Sequence, residues 1–113
     1  MIGFHVLADP VILVGGSTVG CKKSTHCQDV HDHYRLFEVP GLGHCSGGPG
    51  GHPTTFDALR AWVENGTVPE TLPVSFSDQK GITNTRSLCP YPQKQRYDGS
   101  SDPTSADSFT CSL

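Results

Sequence analysis

Charge is scarce in this sequence. Only 17% of its 113 residues are Asp, Glu, Lys or Arg, and the formal net charge is −3. Eight cations set against eleven acids leave no basic excess for nucleic acid or an acidic membrane surface. Long apolar runs are also missing, and none approaches the roughly 18 residues of a membrane-spanning helix. Low charge beside thirteen glycines and nine prolines excludes a coiled coil. No internal repeat is present. At 12.1 kDa the chain is too short for two domains.

Glycine and proline are what it has in excess, so the chain is loop-rich with little core material per residue. Five cysteines (Cys21, Cys27, Cys45, Cys89 and Cys111) and one sequon, Asn65-Gly66-Thr67, point to an oxidising, secretory route with a glycan at Asn65. Yet the amino end, Met1 to His5, has no basic leader, and Asp9-Pro10 splits what would be its apolar region. An odd cysteine count leaves one sulfur without a partner. Both features predict that the chain begins inside something larger.

Strand material is expected over 2–14, broken by Ala8-Asp9-Pro10 into Ile2–Leu7 and Val11–Val14. Residues 17–31 carry no sustained period. Tyr34 to Val39 is the clearest strand, ended by Pro40-Gly41. A glycine loop from Gly41 to Gly51 contains His44-Cys45. A helix then starts at Thr54 or Thr55, with Asp57 in a loose capping box, places Phe56, Leu59, Trp62 and Val63 on one core-facing side, and stops at Gly66. This divides the chain into 2–66, which carries strands and helix, and 67–113. In the latter, five prolines predict an irregular tail with one apolar patch, Leu72 to Phe76, held by Cys89–Cys111 if those residues bond.

An acid therefore follows one strand tip and a histidine follows the tip of the next. Parallel neighbouring strands present their carboxyl ends on one edge, so such loops can meet there. A carboxylate accepting the imidazole Nδ1–H fixes the tautomer that lets Nε2 take a proton from a nucleophile. This is the chain order of the last two members of a Ser…Asp…His triad in an α/β-hydrolase. Order alone is a weak signal, because one Asp and one His at this spacing occur in many domains.

The flanking residues are more specific. Tyr34-Arg35-Leu36-Phe37-Glu38-Val39-Pro40-Gly41-Leu42-Gly43-His44-Cys45-Ser46-Gly47-Gly48-Pro49-Gly50 resembles the catalytic-histidine segment of the tannase and feruloyl esterase family. His5-Val6-Leu7-Ala8-Asp9-Pro10-Val11-Ile12 is similar to its acid segment. Leu88-Cys89-Pro90-Tyr91-Pro92, Arg96-Tyr97, Gly99-Ser100 and Ser108-Phe109-Thr110-Cys111 are similar to its closing segment.

The resemblance implies an α/β fold: the C-terminal part of an α/β-hydrolase, with its last strands, histidine loop, helix and disulfide-held tail, and no lid domain. It implies a secreted serine-type ester hydrolase acting on galloyl or feruloyl esters, small or polysaccharide-linked, with Asp9 as triad acid and His44 as general base. Cys45 would bond to a cysteine that, in the family, directly precedes the nucleophilic serine. That serine is not in this chain, and a chain without it is expected to be inactive alone. Ser46, adjacent to His44 on one loop, is poorly placed to serve as its nucleophile. Calcium belongs to the family's lid, so no cofactor is expected here.

Some residues depart from the family pattern. Val6 stands where the family has glycine. Cys21-Lys22-Lys23-Ser24-Thr25-His26-Cys27 replaces a helical stretch, as an insert that Cys21 and Cys27 could close with a local disulfide, or as a junction. Zinc on Cys21, Cys27, His31 and His33 is disfavoured, because C-x5-C-x3-H-x-H misses the usual ligand intervals. His26, His31, His33 and His52 are expected to be solvated. The competing reading is a non-catalytic, disulfide-stapled secreted module or a degenerate remnant; an upstream cysteine-serine elbow would separate the two.

Overall fold

Two short parallel strands begin the fold of this computed structural model, which describes residues 1–13, 15 and 31–113. Strand β1 (Ile2–Val6) lies beside β2 (Arg35–Val39) in a register running from Ile2 opposite Arg35 to Val6 opposite Val39. Leu36, Phe37 and Val39 of β2 are buried, as suits a parallel strand covered on both faces. The other edge of β2 is also occupied: Phe37 bridges to Pro90, and the Tyr91 N–H donates to the Leu36 carbonyl at 2.7 Å.

The glycine loop leads from β2 into helix α1 (Phe56–Asn65). Thr55 stands at its start without a side-chain capping bond, so the expected Thr54–Asp57 box does not form. Its end is as expected, with Gly66 left-handed (φ 69°) and donating to the Trp62 carbonyl at 3.1 Å. The expected burial of its apolar side is not found. Phe56 is 74% and Val63 78% exposed, Leu59 is exposed and Trp62 half-buried, while Ala58 packs on the core. Periodicity chooses a face, but burial needs a surface to lie against, and among the described residues none covers that stripe.

The tail is not irregular. Residues Leu72–Ser77 (β3) and Thr83–Leu88 (β4) form an antiparallel hairpin, and Lys94–Tyr97 (β5) pairs antiparallel with Phe109–Ser112 (β6). Leu72 and Val74 point inward while Pro73 and Ser75 face out, a period-two alternation inside the apolar patch. Asp78 closes the hairpin by accepting from the backbone N–H groups of Lys80 (2.8 Å) and Ile82 (2.9 Å). Arg86 on β4 stacks its guanidinium 4.1 Å from the Phe109 ring centre, tying the two ribbons together. Val11 to Leu13 also depart from expectation: they form no strand, because Asp9 captures the amides of Val11 and Ile12.

One core joins these pieces. Phe37, Val39, Leu42, Leu72, Val74 and Leu88 pack together, with Ile2, Val6 and Ala58 against them. Each fully buried side chain of this size contributes about 1.5–3 kcal/mol. A disulfide between Cys89 and Cys111 links the residue after β4 to β6 across 22 positions. Replacing both cysteines with serine is expected to cost about 3 kcal/mol through lost loop closure. Urea midpoints under non-reducing conditions measure it, and equal midpoints would show that the link contributes nothing.

Candidate active site

The parallel pairing of β1 and β2 delivers two loops to one edge. The first leaves β1 through Leu7 and Ala8, whose N–H groups donate to the carbonyls of Val39 (2.9 Å) and Leu42 (3.1 Å). These bonds continue the ladder past the strand ends and bring Asp9 under the second loop. That loop doubles back on itself: Gly50 N–H donates to Gly41 O (3.0 Å) and Gly47 N–H to His44 O (3.2 Å). Glycine is required at Gly48, where φ is +90° and a Cβ would lie 2.5 Å from the Gly41 carbonyl oxygen. A short 3-10 turn, His44–Ser46, presents the histidine.

Asp9 and His44 meet across 35 residues, with Nδ1 3.0 Å from Oδ2. The acid side chain is 5% exposed and the imidazole 37%. Oδ1 accepts two backbone N–H groups, from Val11 at 2.8 Å and Ile12 at 2.9 Å. The Ile12 amide, followed by the bond from His44, holds the Asp9 carboxyl at about 2, below its ordinary 3.8. An ionised carboxylate only accepts, so Nδ1 must carry the proton, and in the neutral ring Nε2 keeps its lone pair. Nε2 makes no hydrogen bond among the described residues. Chemically, an imidazole held in this way can take up a proton at Nε2.

Cys45, next in the chain, is the only non-glycine with positive φ among the described residues (φ 51°). Its thiol is free and exposed. Left-handed backbone costs an ordinary residue about 1–2 kcal/mol, so the loop's other bonds must impose it. Asn65 is exposed at the last turn of α1. Cys89 and Cys111 are bonded to each other, joining the end of β4 to β6. Cys21, Cys27 and His26 lie outside the described residues. His33 and His52 are exposed as expected, whereas His31 is half-buried with Nδ1 lacking a partner. Among the described residues no three His, Cys, Asp or Glu side chains converge as metal ligands.

The turn at Asp9 agrees with the strand-end break expected at Ala8-Asp9-Pro10, and its carboxylate organises it. An Asp side chain readily accepts from the backbone two and three residues on. Asp9→Asn tests its electrostatics. A carboxyl depressed from 3.8 to about 2 contributes stability that is fully present above about pH 4 and lost as pH falls toward 2. The variant is therefore expected to be less stable at neutral pH and to lose less stability between pH 4 and 2. Parallel acid limbs in the two stability curves would overturn this.

Comparison with known proteins places these features in context. A family model described as tannase and feruloyl esterase matches residues 1–112. A probable feruloyl esterase of Arthroderma benhamiae is 39% identical over 120 residues, which cover 98% of this chain and 22% of that protein. A mono(2-hydroxyethyl) terephthalate hydrolase of Piscinibacter sakaiensis is 46% identical over 84 residues, covering 68% of this chain and 13% of its own. Among solved structures, feruloyl esterase B from Aspergillus oryzae superposes with TM-score 0.82 at 22% identity, over 98% of this chain and 26% of that one. Tannin acyl hydrolase from Aspergillus niger gives TM-score 0.73 at 26% identity, covering 99% and 22%. The shared fold is of α/β-hydrolase type, and the chain spans about a quarter or less of the relatives it matches.

Proposed function

The chain belongs to the tannase and feruloyl esterase family, and from that premise we propose that it supplies the acid and base of a Ser-His-Asp triad in a carboxylic ester hydrolase. The hydrogen bond between His44 Nδ1 and Asp9 Oδ2, 3.0 Å long and spanning two parallel strand ends, carries this reading. The nucleophilic serine belongs to sequence outside these 113 residues, and the segment forms the closing part of the hydrolase domain.

The roles follow from the donor and acceptor pattern. Serine Oγ gives its proton to His44 Nε2 as it attacks the ester carbonyl. The imidazolium so formed is stabilised by Asp9, which stays ionised. His44 then protonates the departing alcohol, leaving an acyl-serine. Water, deprotonated by the same nitrogen, frees the acid and restores the serine. The relatives' names favour esters of aromatic acids, of the galloyl, feruloyl or terephthaloyl type.

Three further assignments attach to this reading. Cys45 is free and exposed beside His44, and it would form a disulfide with a cysteine preceding the serine, stapling base to nucleophile. Secretion is supported by the Cys89–Cys111 bond. On that route the exposed Asn65 sequon would carry a glycan.

The test is hydrolysis of a chromogenic aromatic ester by the protein expressed with the coding sequence that flanks these residues. His44→Ala is expected to lower kcat by at least roughly 10³-fold. Absence of hydrolysis, or hydrolysis indifferent to His44→Ala, would overturn the proposal.

A further inference from the structure

The acid turn is secured unevenly. Up to Ala8 the backbone is tied to Val39 and Leu42 by ladder-like bonds. Beyond Asp9 the chain buries almost nothing: Val11 is 68%, Ile12 53% and Leu13 79% exposed. A segment with so little buried surface opens at low free-energy cost unless hydrogen bonds restrain it. Ile12 is the residue on which those bonds converge. Its N–H donates to Asp9 Oδ1 at 2.9 Å, and its carbonyl lies 3.3 Å from Nε2 of His5. The carbonyl can only accept, so this nitrogen carries the proton and donates. His5 sits on β1, opposite Glu38 in the register, and so reaches the turn from a strand whose position is fixed by pairing with β2.

We propose that His5 is a positioning residue for the triad: by holding the Ile12 carbonyl from the rigid strand, it keeps Ile12 N–H on Asp9 Oδ1 and thereby keeps Oδ2 aimed at His44. The proposal rests on the reading of Asp9 and His44 as acid and base. Asp9 has two oxygens with separate duties, one filled by the turn and one by the imidazole. Loss of the His5 bond frees Ile12, Oδ1 keeps only the Val11 amide, and a carboxylate held by one amide can rotate. Small rotations matter because a misplacement of about 1 Å in a catalytic group can cost about 10²-fold in rate. Outer partners that orient metal ligands influence activity by about 10–100-fold, and a partner that orients the triad acid is expected to act on the same scale.

Two variants of the flank-extended protein test it, with His44→Ala as reference. His5→Ala removes the donor; His5→Gln places an amide N–H near the position of Nε2. His5→Ala is expected to lower kcat about 10–100-fold with KM within about twofold, and His5→Gln to recover most of that loss. Crystal structures of both variants give a readout independent of activity. In His5→Ala the Asp9 Oδ2–His44 Nδ1 separation should exceed hydrogen-bond reach, while in His5→Gln it should stay near 3.0 Å. An unchanged kcat in His5→Ala, no recovery in His5→Gln, or an unaltered acid–imidazole distance would each overturn the inference. Indifference to His44→Ala defeats the triad reading instead, and the crystallographic distance still judges His5.

Discussion

The parallel register between β1 and β2 is the constraint on which everything else depends. It spans five residue pairs, from Ile2–Arg35 to Val6–Val39. Parallel strands end on the same edge, so Asp9 and His44 emerge side by side although 35 residues separate them. An antiparallel pairing of the same strands would send the two loops to opposite edges, with roughly the length of a strand between acid and base. Burial fixes this register. A slip of one residue would turn Phe37 and Val39, both essentially inaccessible, toward the opposite face.

The second layer of the structure serves that pair. Pro90 and Tyr91 close the free edge of β2, and the β3–β4 hairpin packs Leu72, Val74 and Leu88 onto Phe37 and Leu42. The disulfide then holds β6 to the end of β4. The residues after α1 therefore buttress the strand from which the histidine loop departs. Precision at His44 comes from the glycine loop's internal bonds, and rigidity comes from the hairpin behind it.

How much of this was legible in the sequence differed from element to element. Both strands that bear the site were readable from short aliphatic and aromatic runs ended by turn residues, and α1 from its apolar spacing and Gly66. The Asp9–His44 bond followed from strand order together with the flanking residues. The tail was misjudged for a physical reason: β4 reads Thr83-Asn84-Thr85-Arg86-Ser87-Leu88, with too few apolar side chains to announce a strand. Its pairing is dictated by β3, which was read only as an apolar patch, and by Asp78 in the turn. Burial of α1 was misjudged differently. A periodic stripe shows which face is apolar, but what lies over that face is a tertiary fact that no local pattern contains. His5 could not be singled out from sequence, because its partner is a backbone carbonyl and any residue at position 12 would supply one.

The electrostatics of Asp9 connect these layers to chemistry. The hydrogen bond from the Ile12 amide is the largest single cause of its depressed pKa, and the bond and charge of His44 and the Val11 amide lower it further. The carboxylate is thus held ionised and oriented by backbone dipoles that are in place whether or not the imidazole is charged. In the proposed reaction, the charge that stabilises His44 on protonation needs neither to form nor to turn, and a preorganised charge acts without reorganisation at the moment of reaction. Without the Val11 and Ile12 amides on Oδ1, the acid would be ordered only by the species it must stabilise. The division of labour between Oδ1 and Oδ2 avoids that circularity. It also explains why a turn with almost no buried side chains can sit at the centre of the site: the backbone bonds, rather than packing, set the position of the charge.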